Sequence, residues 1–136
     1  MDLIELHDSV AELRRDGSSV IIDLRPAYVH HWEKRGGGWT GTGRSQEARI
    51  KIGCRAEVSV PFGPLEVSAG SIRIAGSQLG LIPAPMNDTG PVTAQLEFVD
   101  GSSVAVDGTG VEIELLGEAE DIEALPPEWA PTVDAV

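Results

Sequence analysis

Residues 47–60 read Glu-Ala-Arg-Ile-Lys-Ile-Gly-Cys-Arg-Ala-Glu-Val-Ser-Val. Apolar side chains alternate with polar side chains or glycine along the whole stretch. Successive side chains of a β-strand point to opposite faces, so the pattern predicts a strand with one buried and one solvated face. The stretch is longer than most strands. We therefore expect it to bend near Gly53 and to serve two sheets or curl around a barrel.

Similar alternation extends outward in both directions along the chain. Residues 19–25 place Val20, Ile22 and Leu24 on one face, and Pro26 then marks an edge, a bulge or a break because it lacks an amide donor. Further along, residues 111–116 alternate in the same way. These segments predict a protein built mainly from antiparallel strands.

A hairpin around residues 92–106 permits a prediction of register. The apolar pattern pairs Leu96 with Val104 and Ala94 with Val106 when the loop holds three residues, Val99-Asp100-Gly101. A two-residue turn would place Val104 and Val106 on the wrong face, since the side-chain period of a strand is two. We therefore predict the three-residue loop, with Gly101 left-handed and a bulge beside it.

The first residues carry the one pattern that favours a helix. Ser9 precedes Glu12 by three residues, as in a capping box, and Gly17 can end a helix. Apolar residues at helical spacing share one face, which predicts a helix over about residues 2–16: Leu3, Leu6, Val10 and Leu13.

The fold class that follows is mainly β, an antiparallel sandwich or a partly closed barrel with one short N-terminal helix. Residues 1–117 are expected to form a single β-rich domain, and residues 118–136 an acidic, proline-containing tail. The apolar segment 76–91 is expected to be a long loop that packs on the core or covers a cavity.

Charge divides the chain into unlike halves. The 22 acidic and 10 basic side chains leave a net charge of −12. Residues 74–136 hold twelve of the acidic residues and no basic one. This balance argues against a nucleic-acid partner, because phosphate backbones are bound by Lys and Arg.

The acidic half points instead to a basic protein partner, which it would attract electrostatically. The residues expected to contact that partner are Glu97, Glu112, Glu114, Glu118, Glu120 and Asp121. Two other readings stay open. The acidic side chains can form a solvated face that keeps the protein soluble, or they can pair with the basic residues of 34–55 across one sheet.

A second candidate site is a small-ligand or anion site at the barrel mouth and the glycine-rich segment 34–43. Its candidate residues are Tyr28, His30, Trp32, Trp39 and Arg44. The spacing of the glycines matches a phosphate-binding motif. Such motifs bind phosphate through backbone amides at a helix N-terminus, whereas a predicted strand follows the glycines here. The alternative is that the aromatic side chains only plug one end of the core.

A third candidate is a metal-assisted enzyme that uses His30, His31 and Glu33. On a strand, His31 and Glu33 share one face and His30 lies on the other. A metal site needs a third convergent ligand from elsewhere. From His30, His31 and Glu33 alone we predict no cofactor and assign no catalytic residue.

The sequence gives only general indications of the cellular compartment. The single cysteine cannot form an internal disulfide, which is typical of a reducing compartment. We see no signal peptide and no apolar run long enough to span a membrane. The sequence thus predicts a small acidic cytoplasmic β protein, a binding module rather than an enzyme.

Overall fold

The structure, a computed structural model, describes residues 1–54 and 57–131. These residues form one antiparallel nine-stranded sheet. Its strands are β1 (Asp2–Glu5), β2 (Val10–Asp16), β3 (Ser19–Arg35), β4 (Gly38–Cys54), β5 (Leu65–Ile74), β6 (Ser77–Leu79), β7 (Leu81–Ala84), β8 (Met86–Phe98) and β9 (Ser103–Leu125). A single 3₁₀ turn, Pro127–Trp129, follows β9.

The sheet curls into a partly closed barrel. Its strand order is β2-β5-β8-β9-β4-β3-β1-β7. Because β2 also pairs with β3, the six strands from β2 to β3 in this order close into a ring, and we call them the barrel strands. The closing contact between β2 and β5 is short, with Val10 opposite Glu66 and Ala11 opposite Leu65. The prediction of a mainly antiparallel β protein with a partly closed barrel is confirmed.

The barrel interior is filled by apolar side chains. One buried cluster joins the inward rows of all six barrel strands, for example Ile22 and Leu24 of β3, Ile50 of β4, Leu96 of β8 and Ile113 of β9. The alternation predicted for residues 48–52 is confirmed, since Ala48, Ile50 and Ile52 are buried. The interior is therefore a packed core.

The strand that contains this alternation lies earlier in the chain than predicted. It begins at Gly38 and ends at Cys54, where its register with β9 shifts after Ile52. Residues 57–60 belong to no strand, although Val58 and Val60 still pack against the core. The predicted strand does not reach residue 60, and its residues 55 and 56 lie outside the described residues. The chain is irregular at Gly53, where a bend was predicted, because the register with β9 shifts between Ile52 and Cys54.

An irregularity at Pro26 decides which way the second half of β3 faces. The register shifts between Leu24, opposite Ala48, and Ala27, opposite Gln46, so β3 carries one extra residue. The inward row therefore passes from Val20, Ile22 and Leu24 to the buried Ala27 and Val29. As a result, Tyr28, His30 and Trp32 lie on the outer face of the sheet. Of the alternatives for Pro26, the bulge is the one observed.

The N-terminal helix predicted for residues 2–16 is wrong. Two strands occupy the segment, and their buried side chains follow a period of two: Ile4 and Leu6, then Ala11 and Leu13. The Ser9 hydroxyl donates to the Glu5 carbonyl and accepts from the Tyr28 amide. Ser9 thus links the strands where a capping box was expected, and Gly17 lies in the turn from β2 to β3.

The glycine-rich segment is a strand, not an open loop. The turn from β3 to β4 holds only Gly36 and Gly37, with Arg35 paired with Gly38. Both turn glycines have positive φ, 58° and 83°, as a two-residue hairpin of this type requires. Residues 38–43 pair with β3, and residues 41–43 pair with β9 as well, so this segment is strand and not a glycine-rich loop.

Segment 76–91 is also strand where a covering loop was expected. It supplies β6, β7 and the start of β8, and β7 lies beside β1 with Ile82 opposite Ile4. Both of these isoleucines are fully buried, which explains the apolar composition of the segment. The segment therefore extends the sheet and does not form a lid.

The hairpin from β8 to β9 confirms the predicted register. Leu96 pairs with Val104 and Ala94 with Val106, and Gly101 has a φ of 90°. β9 then continues through residue 118, where the acidic tail was expected to begin, as far as Leu125. Residues 132–136 lie outside the described part of the chain. Within the described part, no helix is long and apolar enough to cross a membrane.

Candidate functional site

An aromatic layer covers the outer face of the second half of β3 and the first half of β4. In this ladder Trp32 lies opposite Gly41 and His30 opposite Gly43, so Tyr28, His30, Trp32 and Trp39 share one face. The glycines make room for the rings: an ideal Cβ on Gly41 would lie 2.6 Å from Cε3 of Trp32. Four of the five predicted ligand residues therefore form one layer.

His30 lies at the centre of this aromatic layer. Its ring meets that of Tyr28 edge-on at 5.4 Å and stacks against Trp129 at 6.3 Å, with 19° between the planes. Only 5% of His30 is exposed. Its Nε2 lies 3.5 Å from a carboxylate oxygen of Glu5, too poorly aligned to count as a hydrogen bond.

Several buried nitrogens of the aromatic layer have no hydrogen-bond partner. They are Nδ1 and Nε2 of His30 and the indole Nε1 atoms of Trp32 and Trp39. Trp32 is 1% exposed but does not belong to the main core cluster, so the aromatic layer is a separate packing unit outside the barrel. Buried polar atoms in native proteins nearly always have partners, which makes this concentration unusual.

Tyr28 connects the aromatic layer to β9. Its hydroxyl donates a hydrogen bond to Oε1 of Glu123. Burial raises the pKa of the Tyr28 phenol well above its ordinary value, and the hydrogen bond and negative charge of Glu123 raise that pKa further. Tyr28 therefore stays a neutral hydrogen-bond donor far into the alkaline range.

Arg44, the fifth predicted ligand residue, lies on the other face of the sheet. It lines a polar cleft of about 270 Å³ whose walls carry His31, Glu33, Arg35, Thr40, Thr42 and Asp121. Its Nε donates a 2.8 Å hydrogen bond to Asp121. The sheet itself thus separates Arg44 from the other four predicted ligand residues.

The structure does not bring together the three residues predicted for a metal-assisted enzyme, His30, His31 and Glu33. As predicted, His31 and Glu33 share a face and His30 lies on the other, so His30 cannot join them. His31 places Nδ1 2.6 Å from Asp2 and Nε2 3.1 Å from Glu33. Each ring nitrogen therefore already faces a carboxylate. Within residues 1–54 and 57–131, no group of three or more His, Cys, Asp and Glu side chains is placed to hold a metal ion.

No protein-family model, curated protein or solved structure matches this chain.

The predicted acidic surface is divided by the sheet order, because β9 lies directly beside the basic strand β4. In that ladder Glu112 is opposite Lys51, Glu114 is opposite Arg49, and Asp121 is opposite Arg44. Cross-strand pairs of opposite charge stabilise a sheet. The side chains of Glu112, Glu114 and Asp121 thus face basic neighbours, and the pairing of basic with acidic strands, left open above, is what the fold contains.

Of the other predicted acidic residues, Glu97 lies away from the basic strand β4, whereas Glu118 and Glu120 lie on the part of β9 that runs beside it. Glu97 is on β8, beside Ser71 and Gln95, on the far side of β9 from β4. Glu118 and Glu120 lie in the last part of β9, where Ser45 is opposite Glu120. We call residues 117–124 the acidic edge.

Sequence reasoning did not assign Trp129, Glu5 or Glu123 to the site. Trp129 belongs to a segment whose composition suggested a tail, and Glu5 lay in the predicted helix. Pro126 and Pro127, which end β9 and turn the chain back, were the available signal for Trp129.

Proposed function

We propose that this protein is a non-enzymatic binding module that docks a basic protein segment on the acidic edge. The observation that carries the proposal is the unpaired outer side of this edge. The ladder between β8 and β9 ends at Met86 and Ile113, whereas β4 follows β9 to Leu125. In the described part of the chain, no strand pairs with the outer side of residues 117–124.

The side chains of the acidic edge support a basic partner. Glu118, Glu120 and Glu123 are exposed, and no Lys or Arg follows Arg73 in the sequence. Ile122 lies among them with 55% of its surface exposed. An apolar side chain surrounded by carboxylates suits a partner segment that offers an aliphatic contact flanked by Lys or Arg.

The backbone favours docking through side chains over addition of a strand. The register between β4 and β9 shifts between Gly43 and Arg44, and again between Ser45 and Glu47. Such bulges, together with charged side chains, prevent regular edge-to-edge pairing. The attraction is then largely electrostatic, so affinity should fall as salt screens the charges.

Titration with a fluorescent lysine-rich peptide that carries one central leucine tests this proposal. We expect Glu118→Gln with Glu120→Gln to weaken binding about three- to tenfold, since each exposed ion pair contributes up to about 1 kcal/mol. The matched control removes the same charge from the same strand, Glu112→Gln with Glu114→Gln, and should change affinity less.

Two outcomes would contradict the proposal. Equal loss in both double variants would mean that the peptide responds only to net charge. Binding that is unchanged in about 0.5 M salt would rule out an electrostatic contact, because the Debye length is then only about 4 Å.

A further inference from the structure

The unpartnered nitrogens of the aromatic layer are the feature that the proposed function does not use. His30 and Trp32 are 5% and 1% exposed, and no hydrogen bond reaches their ring nitrogens. Trp39 is half-buried, and its indole Nε1 is a further buried nitrogen without a hydrogen-bond partner on the same face. A polar group that is buried without a partner lowers the stability of the folded protein. A ligand that satisfies these nitrogens would recover that stability.

The chemistry of the groups defines the ligand. An indole N–H is only a donor and needs an acceptor oxygen, whereas the Glu5 carboxylate beside His30 is only an acceptor and needs a hydroxyl. The face of the His30 ring, on which Trp129 stacks in the structure, is a surface on which another ring can pack. A compound with acceptor oxygens, hydroxyl donors and an apolar C–H face meets all three demands, as a polyhydroxylated ring does.

Charged ligands fit the aromatic layer less well. An anion would face the carboxylates of Glu5 and Glu123. A cation cannot accept a hydrogen bond from Trp32 or Trp39, and the ammonium of Lys34 already lies 5.6 Å from the centre of the Trp39 ring. The remaining class of ligand is a neutral compound.

Trp129 covers the His30 ring of the aromatic layer. It stacks on His30 yet remains 55% exposed. The backbone hydrogen bonds of its turn are local, from the Trp129 amide to the Pro126 carbonyl and from the Ala130 amide to the Pro127 carbonyl. The turn can therefore lift without breaking a bond of the sheet ladder, and a ligand ring can replace the indole against His30.

From these observations we propose that the aromatic layer binds a neutral sugar ring, with Trp129 as a displaceable cover. The proposal does not rest on the function proposed for the acidic edge, although Glu123 of that edge accepts a hydrogen bond from Tyr28. The site uses the outer face of the sheet beside β1. Stacking on His30 would position the sugar ring, and the indole N–H groups of Trp32 and Trp39 would donate to its oxygens.

Indole N–H resonances provide a direct test, because the chain has three tryptophans. The full chain, uniformly labelled with nitrogen-15, is titrated with methyl glycosides of glucose, galactose, mannose and N-acetylglucosamine. We expect at least one of these to shift the Trp32 and Trp39 indole signals in a saturable way. Tetramethylammonium and acetate, added separately, should leave both signals in place.

Variants distinguish the effect of Trp129 on glycoside binding from that of the Trp39 N–H group. Trp129→Ala should strengthen glycoside binding several-fold because no cover has to be displaced. Adding Trp39→Phe, which keeps a ring but removes the N–H, should weaken binding about three- to tenfold, the value of one hydrogen bond. Phe62→Ala removes an exposed aromatic ring elsewhere and should have no effect.

The proposal is overturned if no glycoside shifts these signals in Trp129→Ala at about 50 mM, a concentration far above the Kd of a weak specific site. It is also overturned if tetramethylammonium or acetate shifts them instead. Cross-peaks from the two indole protons to bound water, with no glycoside response, would mean that trapped water satisfies these groups. A failed peptide titration at the acidic edge would leave this result unaffected.

Discussion

The Trp32 indole occupies the space that a side chain on Gly41 would need. An ideal Cβ there would lie 2.6 Å from both Cε3 and Cη2 of the ring, closer than real contacts allow. The two residues are directly opposite in the β3–β4 ladder. The absence of a side chain on Gly41 therefore allows the Trp32 ring to pack directly against the backbone of β4.

We expect Gly41→Ala to lower the free energy of unfolding by about 1–3 kcal/mol, because the added methyl must displace a buried ring. Urea denaturation measures the change. Gly38→Ala is the matched control in the same strand, since its nearest neighbour would be the Arg35 carbonyl at 3.9 Å. An equal loss in both variants would show that the close approach to Trp32 is not the cause.

A second prediction concerns the buried carboxylate of Asp23. Its oxygens accept from Arg49 at 2.7 Å and from Arg14 at 3.4 Å, and Arg25 lies 3.6 Å away. Burial by itself would raise the pKa of Asp23, but the Arg49 hydrogen bond and the three positive charges outweigh it. They hold that pKa below the ordinary value of 3.8.

Stability should therefore depend on Asp23 at acidic pH. Its contribution is present above the unfolded pKa of 3.8 and is lost as the pH falls through the lower folded value. We expect Asp23→Asn to destabilise the fold by about 1.5–3 kcal/mol at neutral pH and to flatten the acid limb of the stability profile. Asp16→Asn, at the exposed end of β2, is the control. An acid limb that is unchanged in Asp23→Asn would contradict the assignment.

A third prediction uses the fact that Tyr28 is the sole tyrosine. Its tyrosinate absorbance should titrate above the ordinary pKa of 10, because burial and the bond to Glu123 favour the neutral phenol. The corresponding stability is present below pH 10 and is lost as the pH rises through the folded pKa.

Glu123→Gln should lower the Tyr28 titration midpoint, since it removes a negative charge while retaining an acceptor oxygen. Spectrophotometric titration follows both proteins, and circular dichroism monitors whether they remain folded. Glu118→Gln, on the same strand, serves as the control. Identical midpoints in wild type and Glu123→Gln would exclude the contact between Tyr28 and Glu123.

A fourth prediction tests the role of Ser9 as a bridge between strands. Its fully buried hydroxyl donates to the Glu5 carbonyl at 2.8 Å and accepts from the Tyr28 amide at 3.1 Å. Ser9→Ala should cost about 1–3 kcal/mol because the Tyr28 amide loses its acceptor. Thermal unfolding compares it with Ser68→Ala, whose exposed hydroxyl should matter by less than about 0.5 kcal/mol. A neutral Ser9→Ala would contradict the bridge.

The N-terminus shows why local patterns misled. Leu3, Leu6, Val10 and Leu13 have helical spacing, yet Ile4, Leu6, Ala11 and Leu13 are the side chains that the fold buries. Both patterns are present in the same sixteen residues, and nothing local chooses between them. The choice comes from β3, which pairs with β1 through Val29 and with β2 through Ile22. Tertiary pairing therefore overrode a good capping sequence.

Sequence by itself determined the features that depend on neighbouring residues. The inward row of Ala48, Ile50 and Ile52 follows from side-chain alternation. The pairing of Leu96 with Val104 follows from the short loop between them, since a one-residue slip would expose the buried row. The interruption of β3 at Pro26 follows from its missing amide.

Only the tertiary structure decided what these elements do together. The bulge at Pro26 turned Tyr28, His30 and Trp32 to the outer face and separated them from Arg44. The sheet order placed β9 beside β4, so that half of the predicted acidic surface faces basic side chains. Trp129 packs on His30, 99 positions earlier in the chain. Such contacts depend on the order of the strands in the sheet, and no local pattern of side chains specifies which distant strand will lie alongside.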